Sequence, residues 1–380
     1  MARTGGAWLL GLGALLGAAA VACGYAVGAD PVKNKAGAGG SGATTFSTAT
    51  GGGGAGPTGG AGGATTGSGG DGGAGGTVVP VPDPFAPTAM GTGEWTGTLP
   101  PGGLFDPEAT VYFPGTVLPG EKFPIVLFAH ELDLGDTDYA ATLSHLASFG
   151  YVVASVEYDY NPLDTDHHAP VDSMTAAIEL LTQSPPAAIG AISDGTRIVA
   201  AGHGLGAKAA VWMALENGSI DAVVALDALD DEAGIIPSSK RPSITPEMMA
   251  AMDVPALYLV TERGPAGLSE CVPRPSNGCR FREATPAGVP KYLMVLEDFG
   301  HLQLVDGYNC LSCLTCDRGP QATHDAKQLA ARGLAVAFLE YTLRGKAGYL
   351  PYLAGVELEA RRAQNLVLDA TAEWQFCVEQ

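Results

Sequence analysis

Short apolar runs and longer amphipathic segments alternate between residues 123 and 343. Uninterrupted apolar runs predict strands buried on both faces, and apolar residues at a period of three to four predict helices. The predicted strands are residues 124–129, 151–158, 198–201, 222–226, 256–261 and 292–296, with shorter pieces at 94–99 and 110–113 before them. The predicted helices are residues 139–149, 171–182, 207–216 and 322–343. This alternation predicts an α/β fold with a mostly parallel central sheet and helices on both faces.

The first 22 residues have the form of an export signal. They carry Arg3, followed by an apolar stretch from Trp8 to Val21 that is short for a membrane span and suits the apolar core of a signal peptide. Ala20-Val21-Ala22-Cys23 resembles a bacterial lipobox, which implies that Cys23 is lipidated and becomes the first residue of the mature chain. An ordinary signal peptide, cleaved after small residues, is the alternative.

A glycine-rich segment separates this signal from the rest of the chain. Residues 36–77 consist mostly of Gly, Ala, Thr and Ser, with Asp71 as the sole charge. Such a composition buries too little apolar surface to offset the entropy of the chain, so it predicts a disordered tether. The predicted organisation is a signal peptide at 1–22, a lipidated Cys and tether at 23–88, a folded domain at 89–350 and a tail at 351–380.

The chain of 380 residues carries a formal net charge of −20. This charge argues against nucleic acids and anionic membrane surfaces as partners, so the lipid anchor is the one predicted membrane contact. Residues 164–168 (DTDHH) offer oxygen and nitrogen atoms to a cation, but without the spacing of a zinc site. We therefore expect no metal and no cofactor, and an outer-membrane or cell-surface location, with secretion as the alternative.

The residues 202–206 (GHGLG) follow a predicted strand and precede a predicted helix. In α/β-hydrolases this junction is the nucleophile elbow, G-x-S-x-G, whose sharp turn presents the serine hydroxyl. Gly202 and Gly206 stand where the tight turn needs glycine, but the central position is Gly204. The local pattern therefore predicts a hydrolase fold, whereas Gly204 itself supplies no nucleophile.

Several segments in the same order resemble chlorophyllases, and more widely the dienelactone-hydrolase and polyester-hydrolase group. They are residues 118–130 (LPGEKFPIVLFAH), 146–154 (LASFGYVVA), 202–210 (GHGLGAKAA), 226–227 (LD), 297–306 (EDFGHLQLVD) and 333–343. The resemblance spans residues 115–345 and implies an α/β-hydrolase fold with carboxylic-ester hydrolase ancestry.

The resemblance assigns catalytic positions in the order nucleophile, acid, base. These positions are Gly204 for the lost serine, Asp227 for the acid and His301 for the base. Glu262, at the end of the following strand, is an alternative acid. His203, inside the elbow, is expected to pack beneath the turn.

The predicted oxyanion positions also depart from the family. Leu205 follows the nucleophile position, and the family's His-Gly pair is replaced by His130-Glu131. Loss of an oxyanion donor typically lowers the rate by about 10²–10³, and a carboxylate at Glu131 would oppose a negative intermediate.

Six cysteines follow Cys23: Cys271, Cys279, Cys310, Cys313, Cys316 and Cys377. In an exported chain they predict three disulfides, although C-x-x-C-x-x-C spacing leaves a metal or iron–sulfur site as an alternative. Proximity favours a Cys271–Cys279 bond, with Cys377 joined to the cluster formed by Cys310, Cys313 and Cys316.

Three functional hypotheses remain open on the sequence alone. The first is an exported hydrolase-fold protein with impaired or absent catalysis that retains binding of a small ester or acyl ligand. The second is an active carboxylic-ester hydrolase that uses an unrecognised nucleophile or activated water. The third is a cell-surface interaction module, with the cysteine-rich region 271–316 as its contact surface.

Overall fold

The computed structural model describes residues 80–100, 107–159, 165–230, 239–265, 271–306, 316 and 319–378. The predictions for the signal peptide, Cys23 and most of the tether lie outside these ranges, as do Cys310 and Cys313.

An eight-stranded sheet organises the described part of the chain. Its strands are β1 (Thr92–Thr98), β2 (Glu108–Pro114), β3 (Phe123–Ala129), β4 (Val152–Val156), β5 (Ser193–His203), β6 (Ile220–Leu226), β7 (Ala256–Thr261) and β8 (Lys291–Leu296). They lie in the order β1-β2-β4-β3-β5-β6-β7-β8. The pairs β1–β2 and β2–β4 are antiparallel, and the remaining pairs are parallel. The predicted mostly parallel sheet, with its short lead-in strands, is confirmed.

Helices cover both faces of this sheet. They are α1 (Ala140–Ser148), α2 (Ala169–Gln183), α3 (Ala187–Gly190), α4 (Leu205–Glu216), α5 (Gly278–Ala284), α6 (His324–Thr342), α7 (Leu350–Ala354), α8 (Val356–Arg362) and α9 (Ala370–Val378). Every residue of β3, β4 and β7 is buried, which explains why these strands are apolar without interruption. None of the helices within the described ranges is long and apolar enough to cross a membrane.

Alternating strand residues divide the apolar core into two layers. Val126 and Phe128 of β3 point to the layer that holds α1 and α6, whereas Ile125 and Leu127 point to the layer that holds α2 and α4. This two-sided packing holds the carboxyl ends of β3, β5, β6 and β8 at the same edge of the sheet. The candidate site lies at this edge.

The C-terminal segment, which the sequence predicts as a tail from residue 351, is packed against the sheet. Val367 forms an isolated bridge with Leu296 at the end of β8, and the Leu368 N–H donates to the Val295 carbonyl at 2.9 Å. Leu368 and Phe376 are buried with Val260 and Val295 in a small third cluster. The short apolar stretches here carry little periodic signal, so only their packing on the sheet edge reveals the structure.

The predicted cysteine pairing is wrong. Cys271 pairs with Cys316, and Cys279 pairs with Cys377, so neither Cys271–Cys279 nor a bond from Cys377 to the C-x-x-C-x-x-C cluster is present. Cys279 lies at the start of α5, where the Asn277 side chain caps the helix by accepting the Cys279 N–H at 3.0 Å. Because α5 packs on β7 and β8, Cys279 lies beside α9 rather than in a loop closed on Cys271.

Candidate active site

The elbow has the strand–turn–helix geometry that its glycines predict. β5 ends at His203, Gly204 has φ +55° and ψ −114°, and α4 begins at Leu205. A Cβ on Gly206 would lie 2.0 Å from the Ala129 carbonyl oxygen, and one on Gly202 would lie 2.3 Å from the Gly206 backbone. Close packing of α4 on β3 and β5 therefore requires glycine on both sides of the turn.

Asp227 and His301, 74 residues apart, meet beside the elbow. Asp227 follows β6 with a left-handed φ of +45°, and its buried Oδ2 lies 2.9 Å from Nδ1 of His301. The backbone N–H and the hydroxyl of Thr261 also donate to this carboxylate, at 2.9 and 2.5 Å. Asp227 is therefore held in place by β7 and can orient the imidazole ring, as the acid of a catalytic dyad does.

Glu262, the alternative acid, is engaged elsewhere. Its Oε2 accepts the backbone N–H of Asp298 at 2.6 Å, in the turn after β8. The residue therefore supports the loop that leads to His301, whereas Asp227 makes the contact with the ring.

The Glu131 side chain fills the space beside Gly204, the position that the sequence predicts for the nucleophile. A Cβ built on Gly204 would lie 1.2 Å from Oε2 of Glu131 and 3.1 Å from the ring carbon Cε1 of His301. The carboxylate thus occupies the space in which a serine at this position would place its side chain.

The Glu131 carboxylate also accepts hydrogen bonds from two backbone N–H groups, one at the elbow and one in the loop after β3. Its Oε2 accepts the Leu205 N–H at 2.8 Å, and its Oε1 accepts the Leu132 N–H at 2.7 Å. An oxyanion hole of this fold is made by the N–H after the nucleophile and by one from the loop after β3, which here are Leu205 and Leu132. The sequence predicts Leu205 and Glu131 as the oxyanion positions, but the Glu131 N–H donates to the Tyr139 hydroxyl and Leu132 supplies the second donor. The position of Leu132 directly after Glu131 was the available signal.

His301 lies between two carboxylates. Its Nδ1 contacts Asp227, and its Nε2 lies 3.4 Å from Oε2 of Glu131. Burial of the ring opposes protonation, but hydrogen bonds to Asp227 and Glu131, together with their charges, raise the pKa of His301 to about 9. The ring is therefore a cation at neutral pH, and a protonated imidazole cannot accept a proton from a nucleophile.

A second layer of side chains supports this arrangement. His203 is buried beneath His301, with ring centroids 4.4 Å apart, and its Nδ1 lies 2.7 Å from the Tyr139 hydroxyl, which in turn accepts the Glu131 N–H at 3.3 Å. Burial, and then the charge of His301, lower the pKa of His203 well below its usual value. A neutral His203 can therefore pack under the cationic ring without repelling it.

The loop that carries Glu131 is anchored through the preceding residue. The His130 ring stacks on Tyr158 at 4.5 Å, its Nδ1 lies 2.8 Å from the Glu131 carbonyl oxygen, and the Tyr158 hydroxyl donates to the His130 carbonyl at 2.9 Å. Nε2 of His130 lies 3.2 Å from Glu157. These contacts fix the backbone from which the Glu131 side chain reaches the elbow.

An apolar cavity lies on the α1 and α6 side of the sheet. Its lining includes Phe128, Leu146, Leu226 and Leu304, and it does not include Gly204, Asp227 or His301. No group of three His, Cys, Asp or Glu side chains within the described ranges is arranged to hold a metal ion.

Comparison with known proteins agrees with the fold. The family model described as Chlorophyllase matches residues 114–359. Chlorophyllase-1 of Arabidopsis thaliana is 26% identical over 243 residues, which cover 59% of this chain and 73% of that protein. Chlorophyllase-1, chloroplastic, of Citrus unshiu is 24% identical over 250 residues, with coverage of 61% and 72%. Because the family model matches well over half of the chain, this protein belongs to the chlorophyllase family.

Proposed function

We propose that this chain is an exported member of the chlorophyllase family in which serine-dependent ester hydrolysis has been lost. The single observation that carries the proposal is the Glu131 carboxylate, which lies where a nucleophile side chain at position 204 would lie. Family membership supports an ester-hydrolase fold, and the contacts of Glu131 support the loss of that chemistry.

The nucleophile, the oxyanion donors and the base that serine-dependent ester hydrolysis needs are each absent from this site or engaged in other contacts. Gly204 carries no hydroxyl, the Leu132 and Leu205 N–H groups donate to Glu131, and His301 is held as a cation. Enzymes that lose a triad serine retain about 10³–10⁴ of catalysis over water, mainly through the oxyanion hole and substrate binding. Here the oxyanion hole is filled as well, so we expect a residual rate below that range. An ester or acyl ligand must displace the Glu131 side chain in order to bind.

Restoring the two family residues together tests this proposal. We expect the parent, Gly204→Ser and Glu131→Gly to hydrolyse 4-nitrophenyl butyrate at the background rate. The single Gly204→Ser change fails because its Cβ meets Glu131, and Glu131→Gly alone supplies no hydroxyl. The double variant should exceed the parent at least tenfold, about 1.4 kcal/mol of activation barrier.

A fluorophosphonate probe, which reacts with an activated serine, provides a second measurement on the same variants. It should label position 204 in the double variant alone, and His301→Gln in that background should abolish the labelling. A parent as active as the double variant would refute the proposal and favour the second hypothesis, an active enzyme with another nucleophile.

Export through a lipidated Cys23 is the second part of the proposal. It is supported by the motif Ala20-Val21-Ala22-Cys23, by the glycine-rich segment after it and by the two disulfides of the folded part, which suit an oxidising compartment. Inhibition of lipoprotein signal peptidase with globomycin should leave the precursor uncleaved, and Cys23→Ser should have the same effect. Normal cleavage under both conditions would favour an ordinary signal peptide.

A further inference from the structure

The carboxyl group of Glu131 lies where the reacting acyl group of an ester lies in a serine hydrolase. Its oxygens receive the two N–H groups of the oxyanion hole, at 2.7 Å from Leu132 and 2.8 Å from Leu205. The histidine–aspartate dyad faces the same carboxyl group, with Nε2 of His301 at 3.4 Å from Oε2. Donors that would stabilise a tetrahedral intermediate therefore surround the Cδ carbon of Glu131 itself.

We propose that Glu131 is a carboxylate nucleophile that attacks strained, electrophilic sp³ carbon atoms, such as those of an epoxide, and that His301 and Asp227 then hydrolyse the resulting glutamyl ester. Carboxylate side chains form covalent intermediates of this kind where an adjacent group completes the reaction. The protein supplies the acyl half of the ester, and the substrate supplies the alkyl half.

The chemistry favours an epoxide over a carboxylic ester. Attack by Glu131 on an ester carbonyl would expel an alkoxide and leave a mixed anhydride, which is higher in energy than the ester. Attack on an epoxide carbon forms one C–O bond and breaks the strained one. The alkoxide that opens remains in the same molecule and takes the Nε2 proton of His301, which lies beside the attacking oxygen.

The second step uses the same residues in the opposite direction. Alkylation removes the negative charge of Glu131, one of the two carboxylates that raise the pKa of His301, so the pKa of the ring falls. The ring, which has given its proton to the alkoxide, therefore stays neutral and can accept a proton. His301 takes a proton from water, the hydroxide attacks Cδ, and the negative charge that develops on Oε1 is stabilised by the Leu132 N–H. Collapse of this intermediate releases a diol that carries the proton from His301 and leaves Glu131 as a carboxylic acid with one oxygen from water. The carboxyl proton then passes to Nε2 of His301, which restores the starting ion pair.

The pair is positioned for this chemistry and is not sealed from solvent. The Glu131 side chain is 9% exposed and that of His301 is 5% exposed, whereas Asp227 behind them is fully buried. Because Gly204 has no side chain, there is space for the Glu131 carboxylate at the elbow. The same glycine therefore excludes a serine nucleophile and allows Glu131 to take its place.

The test uses the intact protein and 1,2-epoxy-3-(4-nitrophenoxy)propane. The parent should convert this epoxide to the diol at least tenfold faster than Glu131→Gln does. In His301→Gln the first step loses its proton donor and slows, whereas the second step loses its base and stops. A covalent adduct should therefore accumulate slowly, and peptide mapping should place it on Glu131. Glu179→Gln, a change of the same type at an exposed carboxylate on α2, should behave as the parent.

A single turnover of the parent in oxygen-18 water should place the heavy isotope in the Glu131 carboxylate rather than in the diol, and this readout needs no variant. The proposal is overturned if the parent forms no diol above the Glu131→Gln rate, if the adduct forms on other carboxylates, or if the isotope enters the diol directly. The inference rests on the occupied site and not on the loss of ester hydrolysis, so an active esterase would refute the proposed function and leave this test unaffected.

Discussion

A side chain at position 204 and the carboxylate of Glu131 compete for the same volume. With Gly204 the carboxylate reaches the Leu205 N–H, and with any larger residue a Cβ would overlap Oε2. The residues at positions 204 and 131 are therefore sterically linked. The place of Glu131 beside the ring is also one of the causes that raise the pKa of His301.

The titration of His301 tests whether the Glu131 carboxylate lies beside the ring. NMR of the ring protons should give a pKa of about 9 in the parent and a lower pKa in Glu131→Gln, because one of the two facing carboxylates is removed. The other facing groups, Asp227 and neutral His203, remain in both proteins. A parent ring that titrates near 6.5, the value of an ordinary His, would contradict the ion-pair assignment.

The raised pKa of His301 also makes the free energy of unfolding depend on pH. Because the folded pKa is raised above the unfolded value of about 6.5, the contribution of His301 is complete below that pH and is lost as the pH rises towards about 9. The free energy of unfolding in urea should therefore fall over this interval in the parent. The fall should be smaller in His301→Gln.

At the scale of elements, α4 is fixed to the loops beside the site by a buried cation. Lys208, one turn into α4, is fully buried, and its Nζ lies 3.1 Å from Asp230 and donates to the Pro242 carbonyl at 2.6 Å. Asp230 also accepts the Ile244 N–H at 3.0 Å. One lysine thus joins the helix that follows the elbow to the segments after β6.

Replacing Lys208 with Met should be strongly destabilising. The change leaves the Asp230 charge buried without its cation, and breaking a buried pair in this way typically costs about 3–5 kcal/mol of unfolding free energy. The matched control is Arg197→Met, which removes the cation of the partly exposed pair with Asp194 and should cost less than about 1 kcal/mol. Urea unfolding measures both, and equal losses would contradict a structural role for Lys208.

At the scale of the whole molecule, the C-terminal helices complete the edge of the sheet. The Cys279–Cys377 disulfide joins α9 to α5 across 98 residues, and the Leu366 carbonyl accepts the Glu297 N–H at 3.2 Å just after β8. Since the strand that leads to His301 is covered by this segment, the C-terminal region supports the site although it contributes no residue to it.

Loss of the long-range disulfide should lower the free energy of unfolding. Cys377→Ser opens a large covalent loop and should cost about 2–4 kcal/mol, and Cys279→Ser/Cys377→Ser should cost no more than the single change. Non-reducing peptide mapping should recover Cys271 linked to Cys316 and Cys279 linked to Cys377. A Cys271–Cys279 peptide would contradict these pairings.

The sequence by itself determined the parallel sheet, the elbow and the order of Gly204, Asp227 and His301, because apolar periodicity and glycine spacing are local properties of the chain. The cysteine pairing, the packed C-terminal helices and the place of Leu132 depended on the tertiary structure. These features arise from contacts between distant segments, whose directions are fixed only when α5 packs on β7 and β8 and when α9 covers the sheet edge. The role of Glu131 belongs to the same class. The sequence indicated a carboxylate beside the oxyanion position, but only the approach of β3 to the elbow placed its oxygens in the volume that Gly204 leaves empty.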